Sequence, residues 1–218
     1  MSQSIQNLIH SSPEPDSGRR RPGRPAGRAD TRTLLMDAAL VLFARQGIAN
    51  TTLRMIAEHV SLTPAMAHYH FKSREQLIDA LAEERLLPIC IHIDEVLDAE
   101  DDPPMAVISC LIQRLLEATS ACPWLASLWV REILSQGGLL TERVHNRLGG
   151  TGRQKWARRV TKWQRQGLMN EGVEPDLVFI SIMGLTLLPL TGGWDGSHSA
   201  NRDRLVIHVM SLLGKGFF

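Results

Sequence analysis

Apolar residues between positions 31 and 86 recur at intervals of three and four, the spacing that lines one face of an α-helix. Leu34, Leu35, Ala38, Ala39 and Leu42 mark a first helix from about Thr31 to Gln46, with Asp30 as its cap and Gly47 at the left-handed position that ends it. Leu53, Ile56, Ala57 and Val60 mark a second, capped by Thr52. Ser61-Leu62-Thr63 breaks the pattern, and Thr63 and Pro64 open a short third helix to Phe71, because proline loses nothing at a first helical position. Ser73-x-x-Gln76 reads as a capping box for a fourth helix, continued by Leu77, Ile78, Leu81 and Leu86, which Pro88 should kink or end.

Beyond the break at Asp101-Asp102-Pro103-Pro104, helices are expected near 104–120, 123–136, 139–148, 153–169, 175–190 and 201–214, with glycine-rich punctuation between them. Alternating β-branched runs are scarce, so the fold class is all-α. Residues 175–190 are apolar all round and must be covered on every side. A two-fold bundle of 175–190 and 201–214 with a second copy would do this, making the chain a homodimer.

Two short helices joined by a tight connection, over about 52–71, are helix-turn-helix grammar. The second helix places Thr63, Ala65 and Met66 near its start, where such motifs read base edges; the two apolar residues suit thymine methyls. His68, Tyr69 and His70 offer donors to phosphates, Lys72 and Arg74 flank the exit, and Thr51 and Thr52 sit where the preceding helix would meet the strand. Charge agrees. Between Arg19 and Arg74 there are ten Arg or Lys and three acids, although the whole chain is only +1. A basic end on an acidic body suits contact with double-stranded DNA through one end. Residues 1–29 read as a disordered basic arm. Within it, Gly23-Arg24-Pro25 looks like the core of an AT-hook, and Arg24 and Arg28 are its candidate minor-groove contacts.

From Thr31 to Ala80 the chain resembles the tetracycline-repressor (TetR) family of bacterial regulators. The resemblance lies in Phe43, Ala44 and Gly47 closing the first helix, Thr51, Thr52, Ile56 and Ala57 in the second, and His70, Phe71, Ser73, Glu75 and Leu77 beyond the third. The chain departs from the family pattern at Ser61-Leu62-Thr63, where Gly-Val-Ser is usual, at His68, where Tyr is usual, and at Arg74, where Lys is usual. The resemblance implies a helix-turn-helix DNA-binding domain over 30–80. It also implies a helical effector-binding and dimerisation domain over 81–218. The function implied is that of a homodimeric repressor, released from a palindromic operator by a small-molecule effector. Trp124, Trp129 and Trp163 are candidates to line the effector pocket. Arg131, Glu132, His145 and Arg165 are possible polar contacts, among which nothing selects.

Catalytic signatures are missing from the sequence: no Gly-x-Ser-x-Gly, His-Glu-x-x-His or phosphate loop occurs, so the expectation is a protein that is not an enzyme and needs no metal or cofactor. Cys90, Cys110 and Cys122 lack metal spacing and read as small core residues of a reducing cytosol. The longest apolar run, Leu177 to Leu190, is too short to span a bilayer, so a cytoplasmic protein without membrane contact is expected. The cations of residues 153–165 suit a solvated face of an amphipathic helix. Two other classes remain open: a helical ligand carrier or enzyme whose basic tail is incidental, and an architectural DNA-binding protein without an effector.

Overall fold

The computed structural model describes residues 28–98, 102–134, 138–148, 152–191 and 199–217. Among these the chain is helical without a strand, in the order α1 (Arg28–Gln46), α2 (Leu53–His59), α3 (Pro64–His70), α4 (Arg74–Leu81), a π-helical turn (Ala82–Leu86), α5 (Leu87–Asp94), a short 3-10 turn (Glu95–Leu97), α6 (Pro104–Ala121), α7 (Leu125–Leu134), α8 (Leu139–Leu148), α9 (Gly152–Arg165), α10 (Pro175–Thr191) and α11 (Ser199–Phe217). The expected basic arm, with Arg24, lies outside the described residues.

Helix α1 starts earlier than its apolar stripe suggests. Asp30 lies inside its first turn instead of capping it, where a carboxylate still suits the positive end of the helix dipole. Leu34, expected in the stripe, is 45% exposed. The buried surface instead runs through Leu35, Met36, Ala39, Leu40 and Phe43, all at 0%. It is wide because α1 is enclosed by α2, α3 and α4 and also by α7 from later in the chain. Gly47 takes φ +85°, and its N–H donates to the Phe43 carbonyl at 2.9 Å, closing the helix.

Pro88 does not end the fourth helix. The Leu87 N–H reaches back five residues to the Ala82 carbonyl, forming a π turn, and helical backbone continues through Pro88 to Asp94. This widened turn turns Arg85 toward α1, where it pairs with Asp37 at 3.4 Å. Neighbouring Glu84 accepts two bonds from Arg32 at 2.6 and 2.5 Å, and Glu83 faces Arg147 of α8 at 3.4 Å. One short segment thus ties the first helix to the later ones, and a single apolar core runs through both.

In the later helices, α9 and α10 make the most extensive packing. Trp156 stacks on Phe179 at 6.0 Å and meets Trp163 edge-on at 6.3 Å. The cationic face of α9 is only partly solvated, contrary to expectation. Arg159 is buried with its guanidinium 5.2 Å over the Trp163 ring, and Lys155 pairs with Asp94 at 2.8 Å. Cys122 is buried and Cys90 and Cys110 half-buried; burial pushes the Cys90 thiol up to about 12 and Cys122 up to about 11, so both are packing groups, not thiolates. Among the described residues no single helix is long and apolar enough to cross a membrane.

Helix α10 buries Val178, Ile182, Met183 and Leu187 against its neighbours. It is not covered all round within one chain: Leu177 is 52% and Leu188 57% exposed. Beside it, α11 buries Leu205, Val209 and Leu213 and leaves Ile207 at 69%.

Candidate nucleic-acid interface

Three side chains build the geometry of the N-terminal surface. Thr52 accepts the Met55 N–H at 3.2 Å, Thr63 accepts the Met66 N–H at 3.3 Å, and Ser73 accepts the Gln76 N–H at 3.2 Å. Each satisfies an otherwise orphaned donor at a helix start and stabilises that start by about 1 kcal/mol. The return half of the capping box shifts by one residue: Gln76 accepts from the Lys72 N–H at 3.2 Å instead of from Ser73. Between α2 and α3, Ser61 takes φ +57°, at the position where the TetR pattern has glycine. Leu62 then donates to the Ala57 carbonyl at 2.8 Å and folds the turn back.

Helix α3 is anchored by few residues. Ala67 is 0% exposed against α1 and α2, and Phe71 just past its end is 3% exposed with the Arg32 guanidinium 5.2 Å over its ring. The rest of α3 faces outward. Thr63, Ala65, Met66, His68 and Tyr69 are all exposed, Met66 at 39% and Tyr69 at 63%. Tyr69 and His70 meet edge to face at 5.3 Å, with His70 half-buried. Thr52 and Lys72 are exposed at the two ends of the same surface. A hydroxyl that accepts a cap bond keeps its own proton to donate, so Thr52 and Thr63 remain competent toward an anion.

Two expected contacts are placed differently. Thr51 is fully buried; its hydroxyl donates to the Gly47 carbonyl at 2.8 Å and accepts from Gln46 at 3.2 Å. It therefore closes the α1 terminus, whose last carbonyls lack partners, and does not face a ligand. Arg74 donates to the Ile48 carbonyl at 3.2 Å and is half-buried, so much of its donor capacity fixes α4 against the α1–α2 loop. Arg24 lies outside the described residues, and of Arg28 only the helical backbone is described. Exposed Arg54, in an i,i+4 pair with Glu58 at 2.7 Å, adds a cation to the flank of α2 that helical pattern alone does not single out.

A second feature lies behind the first. Helices α5, α7 and α8 line a cavity of about 50 Å³. Of the three candidate tryptophans only Trp129 lines it. Trp163 is 2% exposed in the packing of α9 and α10, and Trp124 is half-buried against the core. Glu132 and His145 also line the cavity. Arg131 points away from it: its guanidinium donates at 2.8 Å to each of the Ala44 and Arg45 carbonyls at the end of α1. Arg165 is exposed at the end of α9.

Residues 35–81 match the family model described as bacterial regulatory proteins, tetR family. The chain is 30% identical over 82 residues to the transcriptional repressor KstR2 of Mycolicibacterium smegmatis, covering 38% of each chain. It is 33% identical over 73 residues to the nicotine-responsive repressor HdnoR of Paenarthrobacter nicotinovorans, covering 34% of this chain and 38% of that one. These matches span little more than a third of the relatives' lengths. The fold similarity extends further: the ketosteroid transcriptional regulator KstR2 of Mycobacterium tuberculosis superposes with a TM-score of 0.66 at 20% identity, over 91% of this chain and 100% of that one. The hemolysin II regulator HlyIIR superposes with 0.65 at 18%, over 85% and 98%. Residues 35–81 are thus a helix-turn-helix domain of the type found in bacterial regulatory proteins of the tetR family.

Proposed function

We propose that this protein is a sequence-specific DNA-binding transcriptional regulator, a cytoplasmic homodimeric repressor released from a palindromic operator by a small-molecule effector. The observation that carries the reading is α3: a capped seven-residue helix whose uncovered surface holds Thr63, Ala65, Met66, His68 and Tyr69. A rod of this kind fits the major groove, with Ala65 and Met66 toward thymine methyls and Tyr69, His70, Lys72 and Thr52 toward phosphates. In this reading residues 30–80 form the DNA-binding head and 81–218 the body. Arg24 and Arg28 of the N-terminal arm add affinity without sequence choice.

Dimerisation through α10 and α11 is supported by the large apolar side chains these helices leave uncovered. The coupling between effector and head has two routes. One is the continuous run from α4 through the π turn to α5. The other is α7, which lines the cavity with Trp129 and Glu132 and holds the end of α1 with Arg131. An effector that prefers the cavity of one head spacing shifts the population toward it.

Selection from a pool of random duplexes tests the function. The regulator enriches a two-fold symmetric site with fixed half-site spacing. Binding without a shared sequence would instead mark an architectural protein, and no binding a carrier or enzyme.

A further inference from the structure

The cavity between α5, α7 and α8 has a lopsided chemistry. Leu86, Leu128, Trp129 and Val144 are typical of its wall, and the polar exceptions are Glu132, Thr141 and His145. Among the described residues, no lysine or arginine lines it. Glu132 is 9% exposed, and its Oε2 accepts the Leu140 N–H at 2.9 Å and the Thr141 N–H at 3.4 Å. Those donors open α8, so the carboxyl group sits at the positive end of a helix dipole. Burial lowers the pKa of His145, partly opposed by Asp94, which leaves the imidazole neutral at pH 7. The nearest strong cation in sequence, Arg131, is committed to the α1 carbonyls.

These groups discriminate between ligands by charge. An acid entering the cavity would shed its hydration beside a fixed carboxylate and a neutral ring, with no cation to replace the lost water. An amine, or a neutral molecule with an O–H or N–H, would instead bring a donor to Glu132. The cavity volume, about 50 Å³, is well below the roughly 300–1,000 Å³ of most small-molecule pockets, so its occupant must be only a few heavy atoms across. Resting on the reading of the body as an effector domain, we propose that this cavity takes a compact, mainly apolar molecule that is cationic or neutral and carries a hydrogen-bond donor, and excludes carboxylic acids of the same shape.

Three probes with one hydrocarbon group test this on the full chain without DNA: tert-butylamine, tert-butanol and pivalate, titrated calorimetrically at pH 7. The amine and the alcohol bind, and the carboxylate binds at least about tenfold more weakly than the amine, a gap of about 1.4 kcal/mol. Glu132→Gln, which keeps an oxygen for the Leu140 N–H, removes the advantage of amine over alcohol. Chemical-shift changes at the Val144 and Leu128 methyls locate the bound probe without relying on a variant's folding. Carboxylate binding as tight as the amine's, shifts confined to other methyls, or binding of none of the three at millimolar concentration would each overturn the proposal. Enrichment of an operator is scored separately: a selected site without cavity binding leaves the regulator standing and sinks the cavity's chemistry, and cavity binding without a site does the reverse.

Discussion

Helices α3 and α10 both leave much of their surface uncovered, with opposite chemistry. In α3 the exposed groups are, apart from Met66, small, hydroxylic or aromatic with polar edges, beside an exposed lysine. A polyanion with apolar methyls in its groove matches them. In α10 they are Leu177, Ile180 and Leu188, beside Ile207 and Leu212 of α11, and only another apolar surface matches those. The first surface is held by local devices, two capping threonines and a turn. The second is held by packing from several helices at once. Recognition and assembly therefore ask different things of the chain, and substitutions should separate them.

Breaking the assembly surface is expected to have the largest effect. Ile207→Glu or Leu188→Glu would place a charge where the mate is proposed to pack, at several kcal/mol per buried ion. Sedimentation velocity should show a monomer, and affinity for a two-fold site should fall at least about a hundredfold, which corresponds to about 2.7 kcal/mol. A variant that remains dimeric would move the interface elsewhere.

Tyr69→Phe on the recognition surface removes one donor. If that donor reaches a phosphate, affinity falls by about 1.5–3 kcal/mol, tenfold or more, on all sequences alike. Ala65→Gln should instead alter which sequences are enriched. Equal effects of both substitutions on every sequence would erase the division between positioning and reading.

Arg131→Ala tests the link between the two regions. It leaves the Ala44 and Arg45 carbonyls without their donors. Loss of two such bonds costs on the order of 1–3 kcal/mol locally. Hydrogen exchange should quicken over residues 44–51 while α10 keeps its protection; uniform acceleration would indicate global destabilisation and no specific link.

The smallest effects concern a turn and a titration. Ser61→Gly relieves a left-handed residue but loosens the unfolded chain, so the net gain is about 0.5 kcal/mol by thermal unfolding. Because His145 is held below its ordinary range by burial, the unfolded chain binds that proton more readily. Its contribution to stability is present above the unfolded value of about 6.5 and is lost as pH falls below it. His145→Asn should flatten that part of the stability profile.

Legibility in the sequence divides along the same line. Thr52, Thr63, Pro64 and Ser73 act within four residues of themselves, so their roles are readable from spacing alone. The burial of Thr51 is not legible in this way, because both of its partners, Gly47 and Gln46, belong to a helix end that looks the same in sequence whether it faces solvent or core. The uniform apolarity of α10 announces that a cover is needed without saying which surface supplies it. The cavity is the least legible part. Four tryptophans, two at α7 or just before it and two on α9, do not reveal that of these only Trp129 faces it, since periodicity gives a helix a buried side but no neighbour. Arg131 reaches a carbonyl 87 residues away, a contact that exists only once the helices have packed.

The central claim is that α3 lies along base edges. Thymines of the selected duplex can be replaced one at a time by 5-iodouracil, which sets a photoreactive atom in the place of each methyl. After irradiation, the account predicts cross-links to the peptide containing Ala65, Met66 and Tyr69. Cross-links confined to the cationic face of α9, or to no residue of α3, would contradict it.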